Sequence, residues 1–278
     1  MKTNTGKFNS DMIRQWSNLI AILATFLMNI YVNISPPGGQ TIGEISNTIF
    51  KDVLITPASY AFAIWGLIYL GLISFGIYQI LPAQRENQIL RKCQYFLVGA
   101  SLVQIVWIFL FQYQLFTLSV LAMLGILGCL ICLYLNLGIS YERVSKKEKW
   151  FVYYPISIYF AWISVATIVN VACALDNLGW DGSGQVAIFW TIIMLIVGTV
   201  IAAIINIQKQ DVAYTLVFIW ALTAIAVRHL DVLVLAISAG ILALGLVVLV
   251  CLNFFSKGLK SQKLSLIHIS EPTRLERI

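Results

Sequence analysis

Stretches of about 20 nearly uninterrupted apolar residues recur along this chain, at about 16–34, 58–81, 93–112, 115–139, 151–175, 186–207, 212–227 and 231–254. The hydrocarbon core of a bilayer is about 30 Å thick, and a helix needs about 20 apolar residues to cross it. A transmembrane barrel would instead show alternation over segments of about 10 residues. Soluble domains carry roughly 25% charged residues. Here the share is 11%, with 60% hydrophobic residues and a mean hydropathy of +0.87, more apolar surface than a soluble core can hide. The expected fold class is an all-α integral membrane protein, a helical bundle of about eight transmembrane helices in a lipid bilayer.

The charges support that count. When the connecting segments are assigned to alternate sides, 16 of the 18 Lys and Arg fall on one side, and only Lys51 and Arg228 fall on the other. The rich side holds residues 1–15, the loops at 82–92 and 140–150, Lys209 and the C-terminal segment. The positive-inside rule makes it cytoplasmic, so both termini are expected in the cytoplasm, the membrane being read as a bacterial plasma membrane. The net charge of +6 belongs to this asymmetry, and no nucleic-acid partner is expected. The first apolar run is long, and no small-x-small cleavage pattern follows it. It is therefore expected to be a retained span rather than a signal peptide.

Between the first two spans lies SPPGGQTIGEISNTIFKDVLITP, expected as a loop with turn chemistry at Pro36-Pro37-Gly38-Gly39 and long enough to fold over a pocket mouth. Pro57 is expected in the first turn of the second helix. Arg228 and Asp231 read as an ion pair in a solvated turn. Asp176 and Asp181 lie in a loop without calcium-ligand spacing. The last residues, about 264–278, LSLIHISEPTRLERI, resemble the peptide produced when sequencing-adapter DNA is read as coding sequence. No function is assigned to them or to His268.

Chemistry is sparse. Cys129-x-x-Cys132 sits within an apolar run and reads as two small packing residues. With two His in the chain, no metal centre is expected. No Ser-His-Asp, Cys-His or paired-carboxylate set falls at membrane depth, so no catalytic residue is assigned and enzymatic activity is not the favoured reading. Small-residue faces such as Gly125–Gly128 offer a surface on which two copies could pair as a homodimer.

Three spans carry more than lipid contact requires. In the fifth, at about 100° per residue, Tyr159, Trp162, Ala166 and Asn170 fall within roughly an 80° arc. Lipid cannot satisfy Asn170, so that stripe should face protein or a cavity. In the second span Phe62, Trp65, Tyr69 and Gly76 lie within roughly 60° of one another, and in the third Gln104, Trp107 and Phe111 share a face. Aromatic stripes at this spacing also arise from ordinary bundle packing, and periodicity alone does not separate the two.

The residues themselves go further. Tyr159-x-x-Trp162-x-Ser164-x-Ala166-Thr167-x-x-Asn170 resembles the last-helix signature of the translocator protein / tryptophan-rich sensory protein (TspO/MBR) family. Pro57-x-x-Tyr60-x-Phe62-x-x-Trp65-x-x-x-Tyr69 is similar to that family's second-helix element, and Gln104-x-x-Trp107-x-x-x-Phe111 to its third. The resemblance covers about residues 16–175, the family's five-helix unit. Phe62 to Trp65 is one residue shorter than the family spacing, Tyr60 stands where Trp is usual, and Gln104 stands where Asn is usual. The domain reading is therefore a cytoplasmic N-terminus (1–15), a TspO-like membrane unit (16–175), three additional helices (176–255) and a tail (256–278).

The resemblance implies a pocket within the first five helices, closed by the loop after the first. It also implies porphyrins or other flat hydrophobic molecules as ligands, with no cofactor required. Carried over by position, the ligand-binding residues are Phe62, Trp65, Tyr69, Gln104, Trp107, Tyr159, Trp162, Ala166 and Asn170. The expected function is a membrane-embedded binding or sensory protein for tetrapyrroles. A transporter of small amphiphiles and a porphyrin-degrading enzyme are the alternatives.

Overall fold

The computed structural model describes residues 4–139, 144–180 and 184–269, with side chains described for 10–139, 144–180 and 184–255. Arg143, Asp181 and the end of the adapter-like segment lie outside these residues, as does the side chain of His268. Eight long helices carry the fold: α1 Asn4–Ile34, α2 Ile64–Ile80, α3 Phe96–Gln112, α4 Phe116–Leu137, α5 Tyr154–Asn177, α6 Gly184–Lys209, α7 Val212–Arg228 and α8 Leu233–Ile269. Six of the helical segments are long and apolar enough to cross a membrane, and the other two, α3 and α7, are apolar helices of 17 residues each. At 1.5 Å per residue those two are about 25 Å long, at the lower bound for a span. The chain is an integral membrane helical bundle.

Local chemistry sets the helix ends. Gly138, at φ 61°, closes α4 in the left-handed conformation that suits a glycine just past a C-terminus. A π-helical turn, Lys149–Tyr153, leads into α5 and ends where Pro155, which has no N–H to donate, takes an early helical position. The chain breaks at Cys93–Tyr95, with Gln94 at φ 45°, between the short helix Gln88–Lys92 and α3. The second span does not begin at Pro57. A 3₁₀ turn, Ser59–Ala63, precedes α2, because the Ala58 amide donates to the Ala224 carbonyl of α7 and holds the Pro57–Ala58 backbone outside the helix.

Five helices close a ring. α1 packs on α2 and α3, α3 on α4, α4 on α5, and α5 on α2. α7 packs on the outside of α5, and α6 and α8 pack on α7 and on each other. α6 meets its neighbours through Thr191, Leu195, Gly198, Ala202 and Asn206, spaced at three or four residues, while the rest of its surface is apolar and exposed. Gly76 lets α1 and α2 approach closely, since a Cβ there would stand 2.6 Å from Leu19 Cδ1. Gly76 therefore belongs to the α1–α2 contact and not to a pocket stripe. Gly125 meets Val103 of α3 within the chain.

Polar links join alternate connections at opposite ends, as an up-and-down bundle requires. At one end Arg91 binds Asp11 at 2.5 Å and Arg14 binds it at 2.8 Å, while Asn87 donates to Glu148 at 3.0 Å. Arg14 is thus buried in an ion-pair cluster on an α1 that begins well before residue 16, and not spread in a polar N-terminal segment. Asp211 stands at the same end. Its carboxylate caps α7 through the Tyr214 amide (3.1 Å) and accepts from Tyr134 Oη of α4 (2.9 Å) and Ser157 Oγ of α5 (2.6 Å). One buried carboxylate thereby brackets three helices. Asn206, Thr215 and Asn253 form a second bracket across α6, α7 and α8.

Removing the Asp211 carboxylate loses a cap worth about 1 kcal/mol, strands the buried Ser157 hydroxyl at about 1–3 kcal/mol, and takes from Tyr134 one hydrogen bond worth about 1 kcal/mol net. Asp211→Ala is therefore expected to cost about 3–5 kcal/mol, read as a lowered thermal midpoint in detergent. Asp211→Asn, which keeps a capping oxygen, should lose less than half of that. Equal midpoints for wild type and Asp211→Ala would refute the bracket.

A candidate ligand cavity at the lidded end of the bundle

The segment after α1 folds over the end of the ring. Gly39, at φ 80°, turns the chain, and Gly38 lies against the end of α3 so closely that a Cβ would overlap the Gln112 carbonyl oxygen. A short helix, Ile42–Thr48, follows and forms the lid. Thr41 caps it by accepting from the Glu44 amide at 3.2 Å, and the Glu44 carboxylate accepts from the Thr41 amide at 2.6 Å. These hydrogen bonds hold the Glu44 carboxyl below its ordinary range. The expected loop therefore contains a helix, and its signal, Thr-x-x-Glu before an apolar residue, stands in the sequence at Thr41–Glu44.

Beneath the lid is a cavity of about 570 Å³, its open mouth included. The lid contributes Ile42 and Ser46, and the chain after it contributes Phe50 and Pro57. The 3₁₀ turn gives Phe62, the first turn of α2 gives Trp65, and α3 gives Trp107 and Phe111. The wall from α5 is Trp162, Val165, Ala166, Val169, Asn170 and Cys173. The three stripes do face one another. Trp162 meets Phe62 at 6.3 Å and Trp65 at 6.5 Å between ring centres, both edge to face.

Of the nine residues expected at the site, Phe62, Trp65, Trp107, Trp162, Ala166 and Asn170 line this cavity. Tyr69, Gln104 and Tyr159 do not; they form a buried layer beside it. Gln104 Nε2 donates to Tyr69 Oη at 3.0 Å, and Tyr159 Oη donates to Gln104 Oε1. One amide thus satisfies two phenols from two other helices, and Trp65 stacks on Tyr69 at 5.7 Å. The layer fixes the rotation of α2, α3 and α5 and orients the aromatic wall.

Asn170 is already engaged. Its Oδ1 accepts from Trp107 Nε1 at 2.6 Å, and its Nδ2 donates to Ser119 Oγ at 2.9 Å. An amide has two N–H donors, so one is left for a bound molecule. Trp162 Nε1 is buried and has no partner, and neither does Ser46 Oγ. Unpaired buried donors are costly, so the cavity is apolar with a few unmet polar groups in its wall. Ser119 and the lid residues were not foreseen from the sequence. Ser119 stands on α4 without an aromatic stripe to mark it, and its role depends on α4 lying beside α5.

The region 15–252 matches the family model for TSPO-like protein. The chain belongs to the TSPO-like family. No curated protein and no solved structure matches it significantly. The match runs past the five-helix segment on which the sequence resemblance rests and through most of α8, so in this TSPO-like chain α6 to α8 fall within the family region.

One of those outer helices, α7, touches the lid. Arg228 Nη1 donates to Asn47 Oδ1 at 3.0 Å and to the Pro57 carbonyl at 3.1 Å, and Nη2 donates to the Ser46 carbonyl at 3.0 Å. The expected Arg228–Asp231 pair does not form, because the guanidinium points back over the cavity end and not towards the turn. Next to it His229 is buried, with Nε2 unpartnered. Burial first, and then the Arg228 charge, hold its imidazole below the ordinary 6.5.

A depressed folded pKa makes the unfolded chain take up the proton first as pH falls. His229 should therefore weaken the fold progressively below about pH 6.5, until the folded imidazole also protonates. In thermal unfolding, the loss between pH 7.5 and 5.5 should be smaller in His229→Gln than in wild type; an equal loss would contradict this.

Proposed function

We propose that this TSPO-like membrane protein binds a flat hydrophobic ligand of the tetrapyrrole kind in the cavity beneath the Ile42–Thr48 lid, and serves as a binding or sensory protein. The observation that carries the reading is the cavity wall. Aromatic side chains from α2, α3 and α5 converge there, with the buried Trp162 N–H unpartnered among them. Offset or edge-on aromatic contacts contribute about 0.5–1.5 kcal/mol per pair beyond area burial, which favours a broad π-system. The free N–H groups of Trp162 and Asn170 favour a ligand that carries hydrogen-bond acceptors at its edge, as a porphyrin bearing carboxylates does. Ala166 leaves room where a larger residue would fill the wall. The charge asymmetry of the connecting segments supports a lid on the outer side of the membrane with both termini in the cytoplasm.

Titration of the purified protein with protoporphyrin IX, followed by tryptophan fluorescence, is expected to give saturable quenching. Trp162→Ala should weaken binding about tenfold, equivalent to about 1.4 kcal/mol, and Asn170→Ala should weaken it to a similar extent by also freeing Trp107. Quenching that never saturates in the wild type would sink the tetrapyrrole reading.

A further inference from the structure

The helices outside the five-membered ring make directed contacts with the cavity's lid and with the chain that follows it. Three come from the Arg228 guanidinium, to Asn47 Oδ1, the Ser46 carbonyl and the Pro57 carbonyl. A fourth is the Ala58 amide donating to the Ala224 carbonyl. A fifth is Trp220 Nε1 donating to the Ala61 carbonyl at 3.2 Å, with the Trp220 ring edge-on to Tyr60 at 5.2 Å. All reach from α7 to the lid or to the lead-in of α2, and Ser46, Pro57 and Phe62 on that stretch line the cavity. We propose that α7 latches the cavity: Arg228 is a positioning residue that holds the lid closed, and breaking its hydrogen bonds opens the site to ligand.

The chemistry suits a reversible catch. Among the described residues no carboxylate pairs with Arg228, so the guanidinium is held only by neutral oxygens. Hydrogen bonds from a charged donor are strong, yet water can replace neutral acceptors when the lid lifts, and no opposite charge is left behind. The fork of the guanidinium is what reaches the lid helix and the Pro57 segment together, which a lysine ammonium cannot reproduce. The other end of the lid has no such polar hold. There Gly39 turns the chain at φ 80° with open space where a Cβ would stand, while Gly38 stays against the Gln112 carbonyl. The lid is thus hinged at Gly39 and caught at Ser46–Asn47. This gives α7, braced from outside by α6 and α8, a task at the site, which is control of access.

Hydrogen exchange on the detergent-solubilised full chain tests the latch without any ligand. In Arg228→Gln the amides of Ile45, Ile49 and Phe50 should exchange at least about tenfold faster than in wild type, while those of Leu130 and Leu133 in α4 keep their rates. Arg228→Lys should fall between the two. Asn47→Ala removes an acceptor of Arg228 and also the Asn47 Nδ2 donor to Ser59 Oγ at 2.8 Å, whereas Ser59→Ala removes only the latter bond. Lid amides should exchange about fivefold faster in Asn47→Ala than in Ser59→Ala, the equivalent of one net hydrogen bond of about 1 kcal/mol; this comparison carries the test if Arg228→Gln does not fold. Unchanged lid exchange, or acceleration of α4 to the same degree, overturns the latch. A second arm rests on the proposed binding function: protoporphyrin IX should dissociate faster from Arg228→Lys than from wild type, and an equal dissociation rate counts against the latch. Failure of the wild type to bind protoporphyrin IX would count against the binding function alone, and the exchange rates would still decide the latch.

Discussion

Polar side chains carried into apolar surroundings must find their partners inside the protein, because lipid offers none. In this bundle that constraint fixes the geometry. Asn170 on α5 takes the Trp107 indole from α3 and binds Ser119 on α4. Gln104 on α3 joins Tyr69 on α2 and Tyr159 on α5. Each link sets the rotation of at least two helices about their axes, which apolar contact with lipid on one side and leucine on the other would leave loosely defined. The aromatic wall of the cavity follows from those rotations. Once Gln104 holds Tyr69 and Tyr159, Trp65 and Trp162 have only the space between α2 and α5 to occupy.

The same rule shapes the outer helices. Asp211 is a buried acid that two hydroxyls and an amide satisfy, so α7 is pinned to α4 and α5 at one end. At the other end Arg228 reaches the lid. α7 is therefore a strut between a fixed polar bracket and a movable cover. α6 and α8 support it from outside through small residues and the Asn206–Thr215–Asn253 link.

Much of this was legible from residues 16–254. Long apolar runs with few charges gave the helix count, since barrel strands would be about half that length and would alternate. The stripe of Tyr159, Trp162, Ala166 and Asn170 was readable because helical spacing alone places those residues on one face. The start of α2 was not, because its 3₁₀ turn is imposed by a hydrogen bond to Ala224, more than 150 residues away in the chain. Sequence proximity pairs Arg228 with Asp231 for the same reason, whereas its partners Asn47, Ser46 and Pro57 are distant in the chain. The lid helix was missed although its capping box was present, because a seven-residue helix makes little apolar periodicity.

What the sequence determined by itself, then, is the class of fold, the helix count and which face of α2, α3 and α5 is unusual, because these depend on spacing along one chain segment. The tertiary structure decided which of those residues meet a cavity and which are spent on one another. Tyr69, Gln104 and Tyr159 share the apparent stripes of Trp65, Trp107 and Trp162, and only the packing of three helices assigns the first set to a hydrogen-bonded layer and the second to the wall. It also decided that α7 touches the lid, since a contact between Arg228 and Asn47 exists only once α7 is packed beside the lidded end of the ring.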